Sequence, residues 1–332
     1  MKIDIFTHIL TPRYKEEYLK RARSKTRVFA YIDAIPTLTD LDIRFKIMDK
    51  HQDLVQVLTI SGPPAHEAAT AKDAAELSKI ANDEMAELVR KYPDRFVSAV
   101  ASLPLTDMEA ALKEADRAIS DLRFRGVEIF SDINGKSVDS PEFMPLYEKM
   151  ASYDLPIWLH PVRKPSQPDY PGEEESKHLV YIILGYPYQS TVAMTRLVFS
   201  GLFEKYPNLK IITHHCGGIA PYLGERIRLF YDEHEMRFGI KYEPPLTKSP
   251  LDYFRMFYND TASCGDTGAL MCGYKFFGSD RLLFGTDMPY DSQIGYRFVR
   301  ETIRSIEEMN IPDSEKKKIF EDNARKIMRL PI

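Results

Sequence analysis

The chain has 332 residues, of which 44% are hydrophobic and 28% charged, and its formal net charge is −4. That balance suits a globular enzyme with a large core and carries no polycationic signature for nucleic acid or an anionic membrane surface. Three cysteines without metal-ribbon or disulfide spacing, a start that runs straight into MKIDIFTHIL, and the lack of any apolar run near the ~20 residues of a membrane helix give the expectation of a cytoplasmic protein.

In chain order, strands are expected near 2–8, 55–61, 96–103, 126–131, 156–161, 209–215, 257–262 and 282–287. Most are short apolar runs with little alternation, as in parallel strands covered on both faces. Helix-like segments lie between them at 65–91, 108–121, 141–152, 191–206, 218–237 and 293–308, with a last one at 312–328. Eight strands alternating with helices predict an α/β fold, a single (β/α)8 TIM barrel spanning 1–332 as one domain. A doubly wound open sheet is the alternative, weakened because no Gly-rich phosphate turn follows an early strand. Long connections at 11–41 and 162–190 leave the C-terminal ends of strands 1 and 5, where lids or subunit contacts are expected. The second carries Tyr170, Tyr181, Tyr186 and Tyr188, expected to shape a pocket.

Four strands share a form, an apolar run ending in a reactive residue: KIDIFTHIL with His8, PIWLHP with His160, KIITHHCGG with His214 and His215, and LLFGTDMPY with Asp287. A lone histidine at a strand end is ordinarily a hydrogen-bonding residue, and Asp287 alone would serve as a helix N-cap. Four such ends at one rim point instead to a shared site. His8, His160 and Asp287 would supply the three protein ligands of a catalytic divalent metal, Zn²⁺ first and Mn²⁺ or Fe²⁺ as alternatives. One of His214 and His215 should point inward as the acid or base. Glu128 ends strand 4 and reads as a barrel-wall ion pair, or as a substitute ligand or acid/base group. His51, His66, His178 and His234 lie in helix- or loop-like segments and read as ordinary polar residues, with lining of the site after strand 2 as the alternative for His66. Alternation along strand 1 puts Asp4, Phe6 and His8 on one face.

These segments resemble the amidohydrolase superfamily, in particular its amidohydrolase-2 branch, which includes aminocarboxymuconate-semialdehyde, γ-resorcylate and 5-carboxyvanillate decarboxylases. The similarity runs through RFKIMDKHQDLVQVLTIS (44–61), INGKSVDSPEFMPLYEKMASYDLPIWLHP (133–161), GYPYQSTVAMTRLVFSGLFEKYPNLKIITHHCGGIAPYLGERI (185–227) and FGTDMP (284–289). The resemblance implies His8, His160 and Asp287 as metal ligands. It selects His215, two residues before the Gly pair, as the proton-transfer residue, with Asp287 beside it. It implies Arg44 and Arg226 as holders of a substrate carboxylate, Arg226 reaching across a homodimer interface. Phe6 departs from the family's His-x-His motif, because a phenyl ring cannot bind metal and fills ligand or substrate space. The leading expectation is a metal-dependent non-oxidative decarboxylase of an aromatic or unsaturated carboxylic acid, with a small-molecule carboxylic acid as its partner. A hydrolase or hydratase using metal-activated water, and a metal-free or degenerate barrel, are the alternatives.

Overall fold

The computed structural model describes residues 1–21, 32–68 and 70–332. The stretch 22–31 of the connection expected at 11–41 lies outside them. Strands β1 (Lys2–Ile9), β2 (Leu54–Ile60), β3 (Phe96–Ala99), β4 (Val127–Phe130), β5 (Ile157–His160), β6 (Ile211–Thr213), β7 (Tyr258–Asp260) and β8 (Leu282–Leu283) fall within or a residue beyond each expected segment. They are arranged as a mixed α/β fold with two parallel sheets, β1–β2–β3 and β4–β5–β6–β7–β8. Spatial neighbours are chain neighbours throughout, with no point at which the order reverses. That order rules out the doubly wound alternative.

The two sheets meet at both edges. Ala101, just past β3, bridges Val127 in parallel, and Thr7 on β1 bridges Met288, past β8. Backbone bonds reinforce the second junction: Ile5 N to Phe284 O at 2.9 Å, Asp287 N to Phe6 O at 2.9 Å and His8 N to Met288 O at 2.8 Å. These bonds fix Asp287 beside the end of β1, although 279 residues separate it from His8.

From Ile3 to Ile9 every residue of β1 is buried, and so is all of β2. Both faces are covered, which explains the continuous apolar runs. Trp158 on β5 is fully buried and its indole N–H donates to Ile5 O at 3.0 Å, so the largest interior side chain also satisfies its one donor. Around the strands, helices pack Ala74, Leu77, Ala81 and Met85 (helix Ala71–Lys91) and Ala111, Ala115 and Ala118 (helix Met108–Ser120) inward. Their starts follow capping chemistry: Thr70 Oγ1 accepts from Asp73 N and Asp107 Oδ1 from Ala110 N.

Some boundaries differ from expectation. The segment 65–91 divides into a 3-10 turn at Ala65–Glu67 and the helix Ala71–Lys91. The segment 191–206 is two helices, Gly185–Phe199 and Leu202–Lys205, parted at Gly201, whose φ is +73°. The last helix is interrupted by a π turn at Lys318–Asp322. The connection from residue 11 contains a helix, Pro12–Arg21, and β5 is followed by irregular chain as far as the short helix Val180–Ile183. No helix among the described residues is long and apolar enough to cross a membrane.

Candidate active site

Three strand ends and one turn bring the histidines together. His8 Nε2 lies 3.1 Å from Asp287 Oδ1, and His215 Nε2 lies 3.7 Å from Asp287 Oδ2. The ring of His160 is 5.6 Å from that of His8, centre to centre. Thus Asp287 sits between His8 and His215. Asp287 is itself in the left-handed region at φ +63°, which turns its carboxylate chain-end toward β1 instead of continuing β8.

One of His214 and His215 is expected to point inward as the acid or base. The structure brings both in. His214 follows β6 and is fully buried, its Nδ1 2.7 Å from Asp260 Oδ2. His215 then enters a run of positive φ values (His215 +56°, Cys216 +54°, Gly217 +77°, Gly218 +63°) that swings its ring back to Asp287. Two consecutive non-glycine residues in that region store strain of about 1 kcal/mol or more each, a cost that usually accompanies a positioned functional group.

Partners of the ring nitrogens fix which atoms face the centre. His160 Nδ1 is 2.8 Å from Pro161 O, which can only accept, so Nδ1 carries the proton and Nε2 the lone pair. Thr59 Oγ1 is 3.1 Å from both Thr7 O and His8 Nδ1. When the Thr59 hydroxyl donates to the carbonyl, His8 Nδ1–H donates to Thr59 and His8 Nε2 presents a lone pair to a carboxylate. That arrangement is repulsive unless a proton or a metal ion lies between the two.

Electrostatics separate the groups. Burial alone would raise the Asp287 carboxyl, but His215 and His8 outweigh it and hold it far below the usual range. Burial disfavours a charged His215, yet the Asp287 carboxylate beside it prevails and its pKa is raised. His160 is pushed well below its ordinary value by burial and by its histidine neighbours. The opposite shifts of His215 and His160 distinguish a proton carrier from a neutral imidazole.

Aromatic rings line the mouth. Tyr290 lies 5.1 Å from the His8 ring and its hydroxyl contacts Ser61, Phe130 lies 5.7 Å from His160, and Tyr186 stands 6.2 Å from His160 and 6.1 Å from His215. Of the four expected tyrosines, Tyr186 reaches the histidines. Phe6 is at the centre: its ring stacks on His214 at 3.6 Å and 16°, and lies 4.7 Å from His8 and 5.8 Å from His160.

Other expected residues sit elsewhere. Arg44 is fully buried and donates through Nε to Gln56 Oε1 at 2.8 Å and through Nη1 to His8 O at 2.7 Å. It braces the end of β1. Arg226 is exposed, its guanidinium 4.7 Å over the Phe230 ring. Glu128 is buried on β4, two residues from Phe130; among the described residues Oε1 has no partner and no ion pair holds the carboxyl, and burial raises its pKa to about 8. His66 is buried against Phe130. Sequence reasoning missed Thr59 and Asp260, which orient His8 and His214. Asp260 ends the strand Tyr258–Asp260 as a polar strand-end residue, and that position was the signal that could have found it.

Donors for a metal converge here, though among the described residues no three His, Cys, Asp or Glu side chains stand together ready to hold an ion. Two histidine Nε2 atoms and a strongly acidic carboxylate are the donor chemistry a borderline divalent cation takes. In donor chemistry the residues fit such an ion.

A family model described as Amidohydrolase matches residues 3–330. The chain belongs to the amidohydrolase family. It is 33% identical over 302 residues, 87% of each chain, to a γ-resorcylate decarboxylase of Polaromonas. Among solved structures it is similar to a 2,6-dihydroxybenzoate decarboxylase in complex with 2,6-dihydroxybenzoate (27% identity, TM-score 0.82, covering 99% of this chain and 98% of that one). It is similar also to a dihydroxybenzoic acid decarboxylase of Polaromonas with bound manganese and the inhibitor 2-nitroresorcinol (27% identity, TM-score 0.78, covering 100% and 97%). These relatives are decarboxylating enzymes, and the last holds a divalent metal.

Proposed function

We propose that this family member is a metal-dependent, non-oxidative decarboxylase of an aromatic carboxylic acid. The observation that carries the reading is the placement of His215 Nε2 3.7 Å from Asp287 Oδ2 under a mouth of tyrosine and phenylalanine rings. A flat aryl acid matches that rim, since aromatic faces stack at 4.5–7 Å. The decarboxylase relatives support the same class.

The strands and the two junctions between the sheets support one closed (β/α)8 barrel over 1–332, with long loops after β1 and β5. His8, His160 and Asp287 would hold the ion. A divalent metal would polarise a substrate oxygen or acidify a water. The imidazole donors suit zinc, while the Polaromonas relative binds manganese.

The proton chemistry belongs to this chain's own residues. His215 gives the Nε2 proton to the ring carbon that bears the carboxylate, and the ring loses its conjugation. The bond to the carboxylate carbon then breaks, its electron pair restores the aromatic ring, and CO2 leaves. His215 ends neutral and regains its proton from solvent, with Asp287 stabilising its cationic form. Tyr186, Tyr290 and Phe130 limit water at the reacting carbon.

A homodimer fits the surface. Of fourteen exposed large apolar side chains among the described residues, eleven fall between residues 170 and 240, including Ile183, Leu184, Tyr222, Phe230 and Phe238. Arg226 lies in that surface and would meet the carboxylate in the partner's site. A cytoplasmic location accords with the composition.

The test is product formation from hydroxybenzoates, 2,6-dihydroxybenzoate first, by protein loaded with Zn²⁺ or Mn²⁺. His215→Asn should lower kcat about 10²–10⁴-fold with little change in KM. CO2 release unaffected by that substitution, or ester or lactone cleavage with no decarboxylation, would overturn the proposal.

A further inference from the structure

Position 6 shares the β1 face with His8 but offers no donor atom. The ring of Phe6 lies flat on His214, and that histidine has an arrangement of its own. Asp260 Oδ1 accepts from Cys216 N at 3.2 Å and Ala262 N at 2.9 Å, which leaves Oδ2 for His214 Nδ1 at 2.7 Å. A carboxylate only accepts, so Nδ1 carries the proton and Nε2 the lone pair. His214 Nε2 is buried and has no hydrogen-bond partner among the described residues. A buried acceptor left unpaired is unfavourable, and in native proteins it calls for an explanation such as an ion.

That lone pair belongs to the histidine next to His160. The centres of the His214 and His160 rings are 5.4 Å apart, matching the 5.6 Å between His160 and His8. His160 therefore has both His8 and His214 as ring neighbours at nearly equal distance. The outward nitrogens of His214 and His160 are tied to oxygen acceptors, Asp260 and Pro161, as is usual for imidazoles that bind metal. His215 is a different case, because its Nε2 faces Asp287.

We propose that His214 Nε2 is a nitrogen donor to a divalent transition-metal ion in this site, supplying what residue 6 cannot. The inference rests on the metal-site reading above and extends it to His8, His160, His214 and Asp287. Three imidazoles and one carboxylate suit a borderline cation such as Zn²⁺. The Phe6 stack would hold the His214 ring in the required plane.

The experiment is X-ray absorption at the zinc edge on wild-type protein loaded with one Zn²⁺ per chain, with zinc affinity measured by chelator competition for wild type, His214→Ala, His214→Gln and His160→Ala. The expected result is three imidazoles in wild type, two in the His214 variants, and affinity at least about tenfold weaker in those variants. Trp158 fluorescence shows whether each variant is folded, and the imidazole count on wild type needs no variant. Two imidazoles in wild type with unchanged affinity in His214→Ala, while His160→Ala weakens binding, would remove His214 and leave the site reading intact. No zinc binding by wild type would overturn both.

Discussion

At the scale of single residues, the site is decided by hydrogen-bond partners that no spacing encodes. His214 and His215 are neighbours in the chain and equivalent on paper. Asp260 takes one and Asp287 the other, because a left-handed turn separates their rings. Glu128 shows the same dependence on surroundings. Its carboxyl is buried with no ion pair among the described residues, and burial raises its pKa to about 8. The folded state then holds the proton more tightly than the unfolded chain, whose glutamate titrates near ~4.3. Stability from this group is complete below that pH and declines as pH rises toward 8. Asp4, raised by burial to about 7, adds a term of the same sign. Glu128→Gln should therefore be neutral or mildly destabilising at pH 5 and stabilising at pH 8, a swing of about 2–5 kcal/mol. Urea unfolding of both proteins at the two pH values measures it, and parallel pH dependences would refute the account.

At the scale of elements, the turn after β6 is the joint that aims His215. Gly218 has φ +63° and ψ −125°, a conformation available essentially to glycine alone, and a Cβ there would lie 2.4 Å from Pro187 O. Thr191 ties the turn to the helix Gly185–Phe199 by donating to Pro187 O and accepting from Ile219 N. Gly218→Ala should lower stability by about 1–3 kcal/mol and reduce kcat more than it alters KM, since it displaces His215 and leaves the mouth in place. Chemical denaturation and steady-state kinetics on the one variant test both parts; wild-type kcat would refute the coupling. The same local logic accounts for the boundaries that sequence patterning mistook. Gly201 parts two helices because its left-handed φ and the contact with Pro244 admit no side chain.

At the scale of the whole molecule, the exposed large apolar side chains between residues 170 and 240 are the feature that most asks for a partner. Patches of this kind mark association surfaces. Arg226 lies among these side chains, so a second copy would close the surface and complete a carboxylate site together. Ile183→Asp with Phe230→Asp should convert a dimer of 38.3 kDa chains to monomer. Light scattering after size exclusion reads the mass, and a monomeric wild type would refute the proposal. The double variant should also raise KM for the aryl acid, because the shared arginine would be lost.

The alternation of apolar runs with amphipathic helices was enough to place the eight strands, since parallel strands covered on both faces must be apolar throughout and end in the residues that face solvent or substrate. The same reasoning located His8, His160, His214, His215 and Asp287 at strand ends. The tertiary structure alone decided the rest. It turned Asp287 between His8 and His215, buried Arg44 as a brace on β1, and laid Phe6 on His214. It also left Glu128 Oε1 without a partner among the described residues. Strand periodicity is a local property of the chain, whereas tautomer, burial and left-handed turns depend on residues hundreds of positions away that meet only when the sheets come together.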